Sequence, residues 1–156
     1  MNNLIEWLPK NIPDDDETSI VHGDYRLDNM ILNNNKVMGI LDWELSTLGH
    51  PIADFSYHCL SWRTQEAFWD QSKLKELGIP NEREYMDMYC ENTGKDLSKN
   101  WEFYMAFNMF KIAGILQGIL GRVRDGTASS KHAEDRGMMV YPLSEAAWNT
   151  IKENLL

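Results

Sequence analysis

His22-Gly23-Asp24, then Asn29, then Asp42 carry the side chains of this sequence best suited to chemistry, and their spacing suits phosphoryl transfer. That reaction needs a carboxylate to accept or orient the proton of an attacking hydroxyl. It also needs hard oxygen ligands to hold Mg²⁺ against the phosphates of ATP. A tight loop carrying an Asp and an Asn, followed by a second carboxylate at the end of a neighbouring strand, meets both needs. Asp24 is then the base, and Asn29 and Asp42 are the metal ligands. The bland alternatives are an Asx-turn aspartate, a hydrogen-bonded loop asparagine and a strand-end aspartate.

The elements around these residues must bring them together. Ser19–His22 reads as a short strand that delivers the loop. Met30–Leu32 and Lys36–Leu41 read as a hairpin around Asn33-Asn34-Asn35, residues that tolerate a left-handed turn. Such a hairpin returns the chain to Asn29 and sets Asp42 beside it. From Pro51 onward the pattern is helical. Pro51 suits a first helical turn, and Ile52, Phe55, Cys59 and Trp62 recur at helical spacing. Asn81–Asn92 predicts a second helix closed near Gly94. Ser98–Arg122 predicts a long third helix, apolar almost all round and therefore central and buried, with Gly114 and Gly118 admitting a close neighbour. His132–Asn154 predicts a last helix bent near Pro142. Residues 3–8 read as the end of a helix, Asp14–Glu17 as a solvated acidic turn, and Arg124–Lys131 as a polar loop.

A chain of 156 residues suits one domain with a sizeable core. The net charge of −9 argues against a nucleic-acid or anionic-membrane surface, which would need a basic stripe. It leaves ATP open, because Mg²⁺ and a few local cations offset phosphate charge. Cys59 and Cys90 have no metal-like spacing and read as reduced thiols in a cytoplasmic setting. Met1–Lys10 lacks the pattern of a signal peptide. Ile112–Leu120 is too short an apolar stretch to span a membrane and reads as core helix. His50, His58 and His132 share no metal spacing, and Trp62, Trp69 and Trp101 read as packing.

The full run is more specific than its parts. His22 to Asn29 resembles the HGDxxxxN loop of the aminoglycoside phosphotransferase and choline kinase superfamily, whose members share a protein-kinase-like fold. Asp42 stands where that family has its metal-binding Asp, and Gly49-His50-Pro51 with Asp54 resembles its Gly-Asp/His-Pro-x-x-Asp segment. Leu41-Asp42-Trp43-Glu44-Leu45-Ser46-Thr47 is most similar to the branch related to the kinase domain fused to some acyl-CoA dehydrogenases. The strong match covers residues 20–62.

The resemblance implies an α+β, mostly α fold: a small hairpin carrying the catalytic loop, then a helical bundle. It implies that Asp54 supports the loop backbone, that Arg26 lies near the transferred phosphate, and that His22, grouped with Asn29 and Asp42 at the cofactor, buttresses the loop. Glu44 is equally a neighbour of the metal or a helix cap. Only 21 residues precede His22. The expectation is therefore one domain over residues 1–156, the C-terminal lobe without its nucleotide-covering N-terminal lobe.

Two functions compete on these grounds. One is an ATP- and Mg²⁺-dependent phosphotransferase lobe acting on a small-molecule hydroxyl, weak or inactive without its other lobe. The other is a non-catalytic lobe that pairs with a partner chain or with itself through the face the missing lobe would cover. A metal-dependent hydrolase using Asp24 and Asp42 is a weaker third. The acceptor is expected to be read by residues 63–140, with a hydroxylated acyl compound favoured over an aminoglycoside.

Overall fold

The structure, a computed structural model, describes residues 1–15, 17–64 and 71–152. Asp16 in the acidic turn, Trp69, and the end of the expected last helix lie outside the described residues. The chain is mostly helical, with two small antiparallel sheets. It divides into two compact units, Asp14–Tyr104 on one hand, and Met1–Pro13 with Met105–Leu156 on the other.

The first unit holds both sheets. Strand β1 (Ser19–Val21) pairs with β4 (Thr47–Gly49), and β2 (Met30–Asn33) pairs with β3 (Lys36–Ile40). The β2–β3 hairpin turns at Asn34 and Asn35, with φ of 48° and 58°. Asparagine tolerates this left-handed region better than most residues, and two successive positive φ values match the twist of the flanking strands. Pairing of Met30 with Ile40 carries the hairpin back to the loop that ends at Asn29. β4 is absent from the sequence expectation. Three residues with mostly exposed side chains leave no alternation to read, and only the pairing with β1 defines the strand.

Three helices follow in this unit. α2 (Pro51–Arg63) starts on Pro51, capped by His50 Nδ1, which accepts the Ile52 N–H at 3.2 Å. It buries Ile52, Phe55, Ser56, Cys59 and Leu60. The short α3 spans Gln71–Leu74. α4 (Glu82–Thr93) carries a full capping box: Asn81 accepts from the Glu84 N–H at 2.9 Å, and Glu84 accepts from the Asn81 N–H at 2.9 Å. Gly94 ends α4 at φ +71°. Phe55 stacks on Tyr89 with centroids 3.9 Å apart. Arg63 ties α2 to both neighbouring helices. Its Nε donates to Glu82 at 2.8 Å and its Nη2 to Glu102 at 2.9 Å. Burial opposes the guanidinium charge, and the bonds to Glu102 and Glu82 outweigh it, so its pKa rises.

The acidic turn is not simply solvated. Glu17 pairs with Lys95, and Asp15 lies 3.3 Å from His50 Nε2. Cys59 is buried and Cys90 partly so; both are free thiols on helices, and burial pushes the Cys59 thiol well up.

α5 (Trp101–Arg124) begins in the first unit and runs into the second, which also holds α1 (Asn2–Trp7), α6 (Ala133–Met138) and α7 (Val140–Lys152). The expectation that α5 is buried throughout needs correction. Trp101, Tyr104, Met105, Ala106, Asn108, Met109 and Ala113 are buried, but none of the residues 114–124 is. By length and composition alone α5 could cross a membrane, a property shared with core helices.

No described element approaches Gly114 or Gly118. The close contact is instead at Gly137, where an added Cβ would lie 2.6 Å from the Leu120 side chain. The last helix is two helices. The break falls at Met139, ahead of Pro142, which then sits in the first turn of α7. There its missing N–H costs nothing.

Candidate active site

The loop between β1 and β2 begins at His22, whose side chain is 3 % exposed. Its Nδ1 accepts the Asp24 N–H at 3.2 Å, so the proton of the neutral ring belongs on Nε2, which lies 2.8 Å from the Leu41 carbonyl. The ring also packs on Trp43 at 4.7 Å. Both ring nitrogens are thus committed inside the loop. His22 links the backbone of Asp24 to the strand end that precedes Asp42, and this is the geometry of a buttress.

Gly23 has φ +83°, and an added Cβ would lie 2.5 Å from the Leu45 carbonyl oxygen. Only glycine fits there. The turn exposes two backbone N–H groups toward α2, where Asp54 accepts both: Gly23 N–H at 2.8 Å and His22 N–H by a short bond. Asp54 thereby ties the loop backbone to α2.

Asp24 is held from several sides. Asn29 Nδ2 donates to its carbonyl at 2.9 Å and to its Oδ2 at 3.0 Å. Arg26 Nε lies 3.3 Å from Oδ2, and Arg26 also reaches Asp28 at 3.8 Å. The Arg26 side chain is 52 % exposed, so its cation faces solvent as well as the carboxylate. The Tyr57 hydroxyl donates to Oδ1 at 2.6 Å.

Asn29 is 7 % exposed, and its carbonyl accepts the Leu41 N–H at 2.8 Å. This bond extends the β2–β3 pairing by one step and brings Asp42, the next residue, to the Asn29 end of the hairpin. Asp42 adopts a left-handed backbone at φ +66°, rare for a residue other than glycine and common at functional sites. Glu44 follows in a 3₁₀ turn that Asp42 precedes, with no side-chain cap bond.

The oxygens here are of the hard type that suits Mg²⁺. With Asn29 Nδ2 turned to Asp24, its amide oxygen is the atom left that would meet such an ion, and Asp42 would add a carboxylate. No cluster of three or more His, Cys, Asp or Glu suited to a metal occurs among the described residues. Two protein oxygens suit Mg²⁺, which keeps waters and substrate phosphates in its remaining positions, and do not suit zinc.

Two supporting residues were missed from sequence. Tyr57 and His58 follow Asp54 by three and four positions on α2 and so share its face. His58 packs on Tyr25 at 5.4 Å, and burial holds its ring below the ordinary imidazole range, against a hydrogen bond with the Tyr25 backbone. The signal was available: once Asp54 is assigned to the loop, helical spacing turns positions 57 and 58 the same way. A cleft of about 410 Å³ borders the loop, lined by Ile20, Tyr25, Asp54, Phe55, Tyr85 and Tyr89 among others.

A glycine-turned loop with an engaged Asp and Asn, closed by a hairpin that ends in a second Asp, is an arrangement suited to kinase-like phosphoryl transfer. The chain belongs to the phosphotransferase enzyme family, whose sequence profile matches residues 1–89. A solved structure described as a "putative aminoglycoside phosphotransferase" from Ralstonia eutropha is 49% identical and superposes with a TM-score of 0.86. That match covers 97% of this chain and 48% of the other. Mouse acyl-CoA dehydrogenase family member 10 is 44% identical across 96% of this chain, and human family member 11 is 40% identical across 93%. The chain spans only 15% and 20% of those two relatives.

Proposed function

We propose that this chain is the C-terminal lobe of an ATP-dependent phosphotransferase that moves the γ-phosphate of ATP to a small-molecule hydroxyl. The observation that carries this reading is the double donation from Asn29 Nδ2 to Asp24, combined with the Leu41–Asn29 bond that delivers Asp42 to the same place. Asp24 orients the acceptor hydroxyl and takes its proton as the oxygen bonds to the γ-phosphorus. The bond from that phosphorus to the bridging oxygen breaks, and ADP leaves with the bond electrons. Mg²⁺, held by the oxygens of Asn29 and Asp42, would neutralise the charge on the transferring phosphate. Arg26, beside Oδ2, would offset the charge that develops on the transferred phosphate.

The acceptor we infer is a hydroxyl-bearing acyl compound. The names of the mouse and human relatives support this, as does the largely aromatic and aliphatic lining of the cleft beside Tyr25.

Calorimetric titration with Mg²⁺·ATP, with Asp42→Ala as the control, tests the proposal. Saturable binding that disappears in the variant is the expected result. Equal heats in both proteins would overturn the metal-site assignment.

A second reading, an interaction module, is favoured by one pair of residues. Ile20 and Leu48 face each other across β1 and β4 and are 74 % and 71 % exposed. Aliphatic side chains so placed suit coverage by a partner. Sedimentation of the chain and of an Ile20→Lys, Leu48→Lys variant decides it: association confined to the parent supports a module, and two monomers exclude self-pairing.

A further inference from the structure

The contact between Tyr57 and Asp24 reaches beyond loop support. Asp54 holds the loop backbone, whereas Tyr57, one turn further along α2, holds the side chain that would do the chemistry. An ionised carboxylate offers about four lone-pair directions. Asn29 donates to Oδ2, the Arg26 cation lies 3.3 Å from the same oxygen, and the Tyr57 hydroxyl donates to Oδ1 at 2.6 Å, the length of a charge-assisted O–H···O⁻ bond. With Oδ2 faced by both Asn29 and Arg26, the open side of Oδ1 is the place for an acceptor hydroxyl. An aspartate side chain without such a partner turns about both of its torsions, so its rotamer as well as its carboxylate plane is left free.

We propose that Tyr57 is a positioning residue for Asp24: its hydroxyl fixes the carboxylate and confines the acceptor hydroxyl to the open side of Oδ1, next to the phenol. This rests on the phosphotransferase reading of Asp24. The phenol is suited to the task. Burial first, then the bond to Asp24, push its pKa well above the usual tyrosine value, so it stays a donor at neutral pH and does not compete as a base. Arg26 opposes that rise without reversing it. The approach of the acceptor is then set by a helix residue, not by the loop that carries the base.

Tyr57→Phe keeps the ring and removes only the hydroxyl. NMR of the full chain reads the consequence through the β-proton couplings and carboxyl-carbon shift of Asp24, with no nucleotide present. The expected result is one Asp24 rotamer in the parent and averaged couplings in Tyr57→Phe, with the melting temperature nearly unchanged. ADP release from Mg²⁺·ATP, with water as acceptor, supplies the kinetic arm: kcat falls about 10- to 100-fold while KM for Mg²⁺·ATP holds.

An unchanged Asp24 signature in Tyr57→Phe overturns the proposal, and so does a mobile Asp24 with undiminished kcat. A parent chain with no turnover is what a lobe without its counterpart would give, and the Asp24 couplings then decide the contact. If Tyr57→Phe fails to fold, the ring Cζ shift of Tyr57 in Asp24→Ala reads the same bond from its other end. A shift away from the parent value supports the bond, and no change overturns it.

Discussion

The Asp54 carboxylate accepts the backbone N–H of Gly23 at 2.8 Å, across 31 positions of chain, while its other oxygen takes the N–H of His22. One helix residue thereby satisfies two donors that the left-handed turn at Gly23 leaves without strand partners. Asp54→Ala removes both bonds at once. The expected loss is about 2–5 kcal/mol, since each orphaned N–H costs about 1–3 kcal/mol. Urea unfolding measures it, and hydrogen exchange should quicken first at residues 22–24. Unchanged exchange there would mean that the loop is held by other means.

Gly23 and Gly94 make a matched pair. Both have positive φ, but a Cβ at Gly23 would meet the Leu45 carbonyl, and a Cβ at Gly94 meets nothing within 4 Å. Gly94→Ala should cost about 1–2 kcal/mol, the left-handed penalty alone. Gly23→Ala should cost about 2–4 kcal/mol, because overpacking adds to backbone strain. Thermal unfolding of the two variants compares them directly, and equal losses would contradict the clash.

Arg63 bridges Glu82 and Glu102, with the three side chains 21 to 34 % exposed. Removing the cation leaves two partly buried carboxylates facing each other. Arg63→Met should cost about 2–4 kcal/mol, at or below the range for a fully buried pair. The exposed Arg83–Asp87 pair on α4 is the contrast. Arg83→Ala should cost no more than about 0.5 kcal/mol. Denaturant midpoints of the two variants test the ordering.

His58 makes stability depend on pH. Its folded ring binds a proton less readily than the usual imidazole because it is buried against Tyr25, Trp62 and Tyr85. The unfolded chain takes that proton near pH 6.5, at the ordinary histidine value. Below that pH the unfolded state holds more protons than the folded one, so stability falls as pH drops. Above it the contribution is fully present. Urea midpoints at pH 7.5 and 5.5 should differ in the parent and differ less in His58→Gln. An equal difference in both proteins would show that the ring is not the source.

Local chemistry was legible where a residue acts on its immediate neighbours. Gly94 announces a left-handed cap, Asn34 and Asn35 a hairpin turn, and both form as expected. The hairpin also implied that Asn29 and Asp42 meet, because strand pairing is set by turn position. Elsewhere the pattern misled. The apolar run of α5 predicts burial but cannot say what covers it, and beyond Ala113 no residue of α5 is buried. Pro142 marks a helix boundary in sequence, yet a proline is as well placed just inside a new helix as at a kink.

By itself the sequence marked out the loop from His22 to Asn29, the turn and caps that shape its surroundings, and the family to which the chain belongs. Those features depend on bonds between residues a few positions apart, or on residue types that one chemistry requires. The tertiary structure alone decided which side chains hold the site in place: Tyr57 on Asp24 across 33 positions, Arg63 on Glu102 across 39, and β4 on β1. Such contacts form because packing brings distant helix faces together. Helical spacing then turns one supporting residue into three, at 54, 57 and 58, once the first is known to face the loop.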